Sequence, residues 1–114
     1  MNWIKLEHQD QLEKIVEDSK SSPIVIFKHS IRCSISSMAL NRIERAWNAD
    51  ATSAYYLDLI NYRDISNKVS ELFNVEHQSP QVLVIDNGSC VYHDSHMAIS
   101  FGSLEDHLKP SSVN

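Results

Sequence analysis

Cys33 is the residue of this chain best suited to covalent chemistry, because it stands where one sequence pattern gives way to another. Residues 24–27 before it are apolar and mostly β-branched, which predicts a strand buried on both faces. After it, apolar residues recur at helical spacing, and two of them, Met38 and Trp47, are predicted to lie in the core. Backbone N–H groups at a helix start lack intrahelical acceptors, and with the macrodipole they stabilise a thiolate. We therefore predict that Cys33 is a catalytic nucleophile.

The motif that begins at Cys33 contains a single thiol. Residues 33–36 read Cys-Ser-Ile-Ser, so Ser36 stands where a Cys-x-x-Cys site carries its second cysteine. Ser36 is predicted to lie one turn into the helix. There its hydroxyl either hydrogen-bonds the thiolate, as a supporting residue of the site, or satisfies local backbone groups. Any chemistry at this motif would be monothiol chemistry.

Three basic residues precede Cys33 and add positive charge to this part of the sequence. Arg32 is its direct neighbour, whereas Lys28 and His29 are more distant. Positive charge near a cysteine favours its thiolate form. Arg32 either steers an anionic low-molecular-weight thiol towards Cys33 or is simply solvated.

Length and composition indicate one globular domain over residues 1–114, with 42% hydrophobic residues and a net charge of −5. Without a basic run or patch, nucleic acid is not an expected partner, and no stretch is long enough to span a membrane. Charged residues occupy the N-terminus where a secretion signal needs an apolar run. Two cysteines cannot form a disulfide framework. We therefore expect a cytoplasmic protein.

The remaining patterns predict helices and strands in alternation. A short edge strand, a first helix, the buried strand and the Cys33 helix are followed by a second buried strand, a further helix and a third strand after Pro80. The helix before Pro80 is predicted to have Asp64 as its N-cap and Leu72 on its apolar face. Asp86-Asn87-Gly88 predicts a tight hairpin turn to a further strand. A capping box at residues 103–106 predicts a last helix to about Lys109. This order predicts an α/β fold with a mixed sheet of four to five strands flanked by helices.

This layout resembles that of thioredoxin, which also places a proline just before the third core strand. The resemblance implies a thioredoxin-like fold in which the Ser79–Pro80 peptide is cis and lies beside the active cysteine. A cis bond before proline is a minority choice in folded proteins. Ser79 and Pro80 would then present backbone groups to a bound disulfide.

A set of short motifs resembles the YtxJ-type bacilliredoxins, small monothiol thioredoxin-like proteins of the bacillithiol system. The motifs span almost the whole chain in order: Lys28-His29-Ser30, Cys33-Ser34-Ile35-Ser36, Tyr55-Tyr56-Leu57, His77-Gln78-Ser79-Pro80-Gln81, Ser95-His96 and Ile99. The chain departs from this family at Ser34, where proline is usual, and at Met97, where tryptophan is common. Proline at a first helical position is pre-set for the helical φ, so its absence bears on the rigidity of the helix start.

The resemblance implies a thiol–disulfide oxidoreductase that removes bacillithiol from bacillithiolated client proteins, with bacillithiol as co-substrate and no bound cofactor. Cys33 would attack the bacillithiol sulfur and release the client thiol. A second bacillithiol would then regenerate Cys33. Such exchange depends on the thiolate fraction and on access, which suits a cysteine at a helix start.

The thioredoxin-like layout predicts that Cys90 lies far from Cys33. The strand that starts at Pro80 runs away from the site, and at about 3.3 Å per residue its far turn lies roughly 17 Å away. A disulfide needs Cα atoms within about 7 Å, so we predict that Cys90 is a core or surface thiol.

His93 and His96 form a pair without further ligands, whereas structural zinc needs four, so no metal site is predicted.

Two other functions are compatible with such a fold. One is a non-catalytic binding or adaptor module with an inert thiol, which reactivity of Cys33 would exclude. The other is a monothiol glutaredoxin-like protein that shares an iron–sulfur cluster. Those proteins share a Gly-rich active-site loop and a pair of glycines that bind glutathione. This chain has only Gly88 and Gly102, which disfavours that function.

Overall fold

The computed structural model describes residues 1–108. Its elements follow the predicted alternation and are, in chain order, β1 (Trp3–Lys5), α1 (Asp10–Asp18), β2 (Ile24–His29), α2 (Ser34–Ala46), β3 (Ala54–Asp58), α3 (Arg63–Phe73), β4 (Gln81–Asp86), β5 (Ser89–Ser95) and α4 (Phe101–Glu105). Short 3-10 turns occur at His96–Ala98 and Asp106–Leu108. The α/β class is therefore confirmed.

The five strands form one mixed sheet in the order β1-β3-β2-β4-β5. β3 pairs in parallel with both β1 and β2, whereas β4 runs antiparallel to β2 and to β5. The turn between β4 and β5 places Asn87 and Gly88 at positive φ, as the Asp-Asn-Gly sequence predicts. The carboxyl end of β2, which leads to Cys33, and the start of β4, which follows Pro80, therefore lie at the same edge of the sheet.

Each face of the sheet is covered by its own pair of helices. α1 and α3 pack on one face through residues such as Ile15 and Val69. α2 and α4 pack on the other face, where Ile43 and Leu104 are fully buried. β2 is buried along its whole length because it lies between these two layers, as its apolar run predicts.

Two predicted helix faces differ from the observed ones. Met38 was expected in the core of α2, but its side chain is 56% exposed, whereas the polar Ser36 is buried on that helix. Leu72 was expected on the apolar face of α3 and is 45% exposed. Trp47, at the end of α2, is partly buried against the core. The apolar pattern of α2 therefore includes residues near Cys33 that face outward.

Two predicted helix starts are also wrong. α3 begins at Arg63 after Tyr62, so Asp64 lies within its first turn, where a carboxylate complements the macrodipole. α4 begins at Phe101, and its N-cap is Ser100, whose hydroxyl accepts a hydrogen bond from the Ser103 N–H. Ser103 is thus the third helical residue rather than the cap. The predicted end of this helix at Lys109 lies outside the described residues.

Within residues 1–108, no helix has the length and apolar character needed to cross a membrane.

Candidate active site

Cys33 is the N-cap of α2, at the end of the bend that leaves β2. Its backbone is extended (φ −114°, ψ 121°), its N–H donates to the Ser30 carbonyl at 3.1 Å, and its own carbonyl accepts from the Ser37 N–H at 3.1 Å. The side chain is a free thiol of intermediate exposure. Cys33 thus directly precedes the first-turn amides of α2, which have no intrahelical acceptors, although its thiol makes no capping hydrogen bond within that turn. A reagent can reach it without the helix opening.

Ser36 is fully buried and its hydroxyl is used by the bend itself. Ser36 Oγ accepts the Ser30 N–H at 3.0 Å and lies 2.7 Å from His29 Nδ1. Within the described residues it forms no hydrogen bond with the Cys33 thiol. Of the two roles expected for Ser36, satisfaction of local groups is therefore the one present in this structure.

His29 is a second buried residue of the site, to which the sequence analysis assigned only a contribution of positive charge. Only 5% of its surface is exposed, and its ring lies 5.5 Å from that of Tyr56. Burial lowers the pKa of His29, against the opposing influence of the Asp58 and Glu44 carboxylates. The expectation that His29 adds positive charge near Cys33 is therefore not supported, because burial favours the neutral ring.

Lys28 is fully buried on the opposite face of the sheet from His29, because successive strand residues alternate. Burial, together with the charge of Arg63, lowers the pKa of Lys28 to about 8. Its ammonium donates to the Ser66 carbonyl at 3.1 Å and to Ser70 Oγ at 3.0 Å. Lys28 is thus bonded to α3 rather than exposed beside the thiol. The strand was predicted to end at Lys28, whereas it continues to His29, and its burial on both faces includes these two ionisable residues.

The Ser79–Pro80 peptide is cis, as the thioredoxin-like layout implied. β4 begins at the next residue, and Gln81 pairs with Lys28 in the antiparallel register. Continuing that register sets Pro80 level with His29, at the edge where the bend to Cys33 begins. The Pro80 carbonyl accepts the His96 N–H at 3.1 Å.

Arg32 is exposed, and among residues 1–108 no ion pair involves it. Its apolar neighbours Ile31 and Ile35 are also largely exposed. The surface around Cys33 therefore combines an exposed guanidinium with exposed apolar side chains.

Cys90 lies at the other end of the sheet, where β5 pairs it with Ile85 near the hairpin turn. Burial raises the pKa of the Cys90 thiol, and its S–H donates to the Tyr92 carbonyl at 3.3 Å. In the part of the chain that the structure describes, His93 and His96 belong to no group of three or more potential metal ligands.

Comparison with known proteins agrees with this geometry. The profile of a family described as monothiol bacilliredoxin BrxC matches residues 4–104. The chain belongs to the monothiol bacilliredoxin family. A solved structure described as a candidate oxidoreductase with a thioredoxin fold is 32% identical, covers 93% of both chains and superposes with a TM-score of 0.81.

Thioredoxins share the fold at lower identity. Thioredoxin from Trypanosoma brucei brucei is 17% identical, with 94% of this bacilliredoxin and 88% of the thioredoxin covered and a TM-score of 0.74. Thioredoxin from Fasciola hepatica is 19% identical, with 91% and 94% covered and a TM-score of 0.70. The thioredoxin-like fold is therefore confirmed, and the family supports a role in thiol redox chemistry.

Proposed function

We propose that this bacilliredoxin removes bacillithiol from protein mixed disulfides, as a YtxJ-type enzyme with Cys33 as its nucleophile. The observation that carries the proposal is the half-exposed Cys33 thiol at the N-cap of α2, in a chain of the monothiol bacilliredoxin family. The partners are bacillithiolated client proteins and bacillithiol itself, in the cytoplasm. No bound cofactor or metal takes part.

The first step is attack of the Cys33 thiolate on the bacillithiol sulfur of the mixed disulfide. A bond forms between Cys33 Sγ and that sulfur while the bond to the client sulfur breaks. The client thiolate leaves and takes a proton from water. The N-cap position sets Cys33 at the positive end of the α2 macrodipole, where the negative sulfur reacts.

In the second step, the thiolate of another bacillithiol attacks the bacillithiol sulfur held by Cys33. The products are bacillithiol disulfide and the Cys33 thiolate, so electrons and protons balance over the cycle. No second protein thiol is needed, which agrees with Ser36 at the position of a resolving cysteine and with Cys90 at the far end of the sheet.

Ser79 and Pro80 are assigned to substrate binding, and Arg32 is assigned a supporting role. Ser79 and the cis Pro80 lie at the edge of the sheet that carries Cys33, where their backbone groups would contact the disulfide-bearing segment. The exposed Arg32 guanidinium, next to Cys33, would attract the anionic form of the small thiol.

The test is release of bacillithiol from a bacillithiolated protein, with bacillithiol as reductant. Wild type and Cys90→Ala should both be active, and Cys33→Ala should be inactive. An inactive wild type would contradict the proposal and would favour a binding or adaptor module. Activity that survives in Cys33→Ala would contradict the assignment of the nucleophile.

A further inference from the structure

The buried ammonium of Lys28 has a set of partners unusual for a charge in a protein core. It is 0% exposed, and within residues 1–108 it has no carboxylate partner. Replacing a buried charge with an apolar side chain of similar volume is often neutral or stabilising. The role of Lys28 therefore depends on the specific hydrogen bonds that its ammonium makes.

All three protons of the Lys28 ammonium have acceptors, and these acceptors belong to two separate segments. Two lie on α3, at the Ser66 carbonyl and Ser70 Oγ, and the third is His77 Nδ1 at 3.3 Å. His77 Nδ1 also lies 3.4 Å from Ser66 Oγ. The ammonium thus joins β2, α3 and the segment that precedes Pro80.

The charges around this cluster keep His77 in the form that accepts the hydrogen bond. Burial lowers the pKa of His77, and the positive charges of Lys28 and Arg63 lower it further. A neutral His77 with its proton on Nε2 leaves Nδ1 free as an acceptor. The Lys28–His77 contact therefore does not place two positive charges against each other.

A second buried side chain holds the same segment. Gln81 is 1% exposed, lies opposite Lys28 in the strand register, and donates through Nε2 to the Glu76 carbonyl at 2.9 Å. Together, Lys28 and Gln81 fix residues 76 and 77 to the sheet, three to four residues before the cis Pro80. The segment 76–80 is thus held against the sheet by polar contacts from β2 and β4 as well as by apolar packing.

We propose that Lys28, acting through His77, is a positioning residue that holds the segment 76–80 in place for binding of the mixed disulfide. The inference rests on the proposed function and adds to it the residue that sets the geometry of the substrate-binding segment. Lys28 itself touches neither substrate nor thiol, since it is buried on the face of the sheet opposite His29.

The variant Lys28→Met keeps a chain of similar length and removes the ammonium, and Lys68→Met on the exposed surface of α3 is the matched control. With a bacillithiolated peptide as substrate, Lys28→Met should raise KM about tenfold while kcat changes less than about twofold. Alkylation of Cys33 by iodoacetamide should keep its wild-type rate. His77→Ala should raise KM to a similar extent. The double variant should have a KM no higher than that of either single variant, because both residues act through the same contact.

Hydrogen exchange measures the positioning without reference to activity. In Lys28→Met, exchange should accelerate in residues 76–81 and at the His96 N–H, which is bonded to the Pro80 carbonyl. The β2–β3 pairs should stay protected. Unchanged exchange in residues 76–81 would overturn the proposal, whether or not the wild type releases bacillithiol.

Two other results would also overturn the positioning role. One is an unchanged KM in a Lys28→Met protein that is active. The other is a joint fall of kcat, Cys33 alkylation and Tm, which would show that Lys28 only supports the fold. Failure of the proposed function is read separately, from the wild type and Cys33→Ala.

Discussion

His29 Nδ1 and Ser36 Oγ lie 2.7 Å apart and join the last residue of β2 to the first turn of α2. The same hydroxyl accepts the Ser30 N–H at 3.0 Å, so it also fixes the bend between these elements. Cys33 lies between the residues that this contact connects. The position of the Cys33 thiol therefore depends on a hydroxyl that is itself fully buried.

Ser36→Ala should destabilise the protein by about 1–3 kcal/mol, because it leaves the Ser30 N–H and His29 Nδ1 without their shared partner. Alkylation of Cys33 should also slow as the bend loosens. Ser37→Ala, at the exposed neighbouring position, is the control and should change stability by less than about 0.5 kcal/mol. Denaturant unfolding and iodoacetamide kinetics measure both effects. Equal stability of the two variants would contradict this role of Ser36.

Acidification should destabilise the protein through His29. Burial lowers the pKa of His29 in the folded state below its ordinary value of about 6.5. Between these two pKa values the unfolded chain binds more protons than the folded one, so this contribution to stability is lost as the pH falls below about 6.5. His77 contributes in the same direction.

His29→Asn tests this contribution, because asparagine keeps a hydrogen-bonding atom near Ser36 and does not titrate. Urea unfolding at about pH 7.5 and about pH 5.5 should show a smaller loss of stability on acidification in His29→Asn than in wild type. His8→Asn, at an exposed position, should keep the wild-type dependence. An equal loss in all three proteins would exclude His29 as a source of the acid sensitivity.

Ser34→Pro should stabilise the protein by about 0.4–1 kcal/mol by restricting the unfolded chain. Ser34 is the first residue of α2, where the N–H has no intrahelical acceptor and proline is favoured. Cys33 before it already has the extended backbone that a following proline requires. Thermal unfolding measures the change. A lower Tm would show that the bend does not tolerate the ring.

Iodoacetamide at neutral pH should label Cys33 well before Cys90. Cys33 is half-exposed at a helix start, whereas burial raises the pKa of Cys90 and so reduces its thiolate fraction. Peptide mass spectrometry during the reaction gives both rates, and Cys90→Ala should leave the Cys33 rate unchanged. Equal labelling, or a Cys33–Cys90 disulfide after mild oxidation, would contradict the separation of the two thiols.

Alkaline pH should stabilise the wild type relative to Lys28→Met. The pKa of Lys28 is lowered to about 8 in the folded protein, so between about pH 8 and its unfolded value of 10.5 the unfolded chain binds more protons. The unfolding free energy of the wild type should therefore rise relative to the variant, by at most about 3 kcal/mol. Urea unfolding of both proteins at about pH 7.5 and about pH 10 cancels the shared tyrosine titrations. A constant difference would contradict titration of Lys28 in this range.

Local pattern was enough to predict the order of elements and the place of Cys33. The apolar run of β2 and the Asp-Asn-Gly turn each specify a structure within a few residues. The cis Pro80 followed from a resemblance of layout, since no local pattern distinguishes the two isomers. The strand and the turn could be predicted because they depend on neighbouring residues. The cis proline could be predicted because it is a feature of the thioredoxin-like layout.

The polar contacts of the site could not be read in this way. The hydrogen-bond partners of Lys28 are separated from it by 38 to 49 positions in the sequence. No spacing within the sequence indicates which helix will pack against which face of the sheet. The outward position of Met38 is similar, because an apolar residue at helical spacing reads as core whether it faces the sheet or the solvent. The error at α4 arose because Ser100 and Ser103 both fit the pattern of a helix cap.

Lys28 and His29 are adjacent in the chain, yet one is bonded to α3 and the other to α2. This dipeptide couples the two helical layers at the edge of the sheet that carries Cys33. A strand has a side-chain period of two, so inserting or deleting one residue in β2 would send each side chain to the wrong layer. Length changes should therefore not be tolerated between residues 24 and 29. In a library of single-residue insertions and deletions, that stretch should be depleted first.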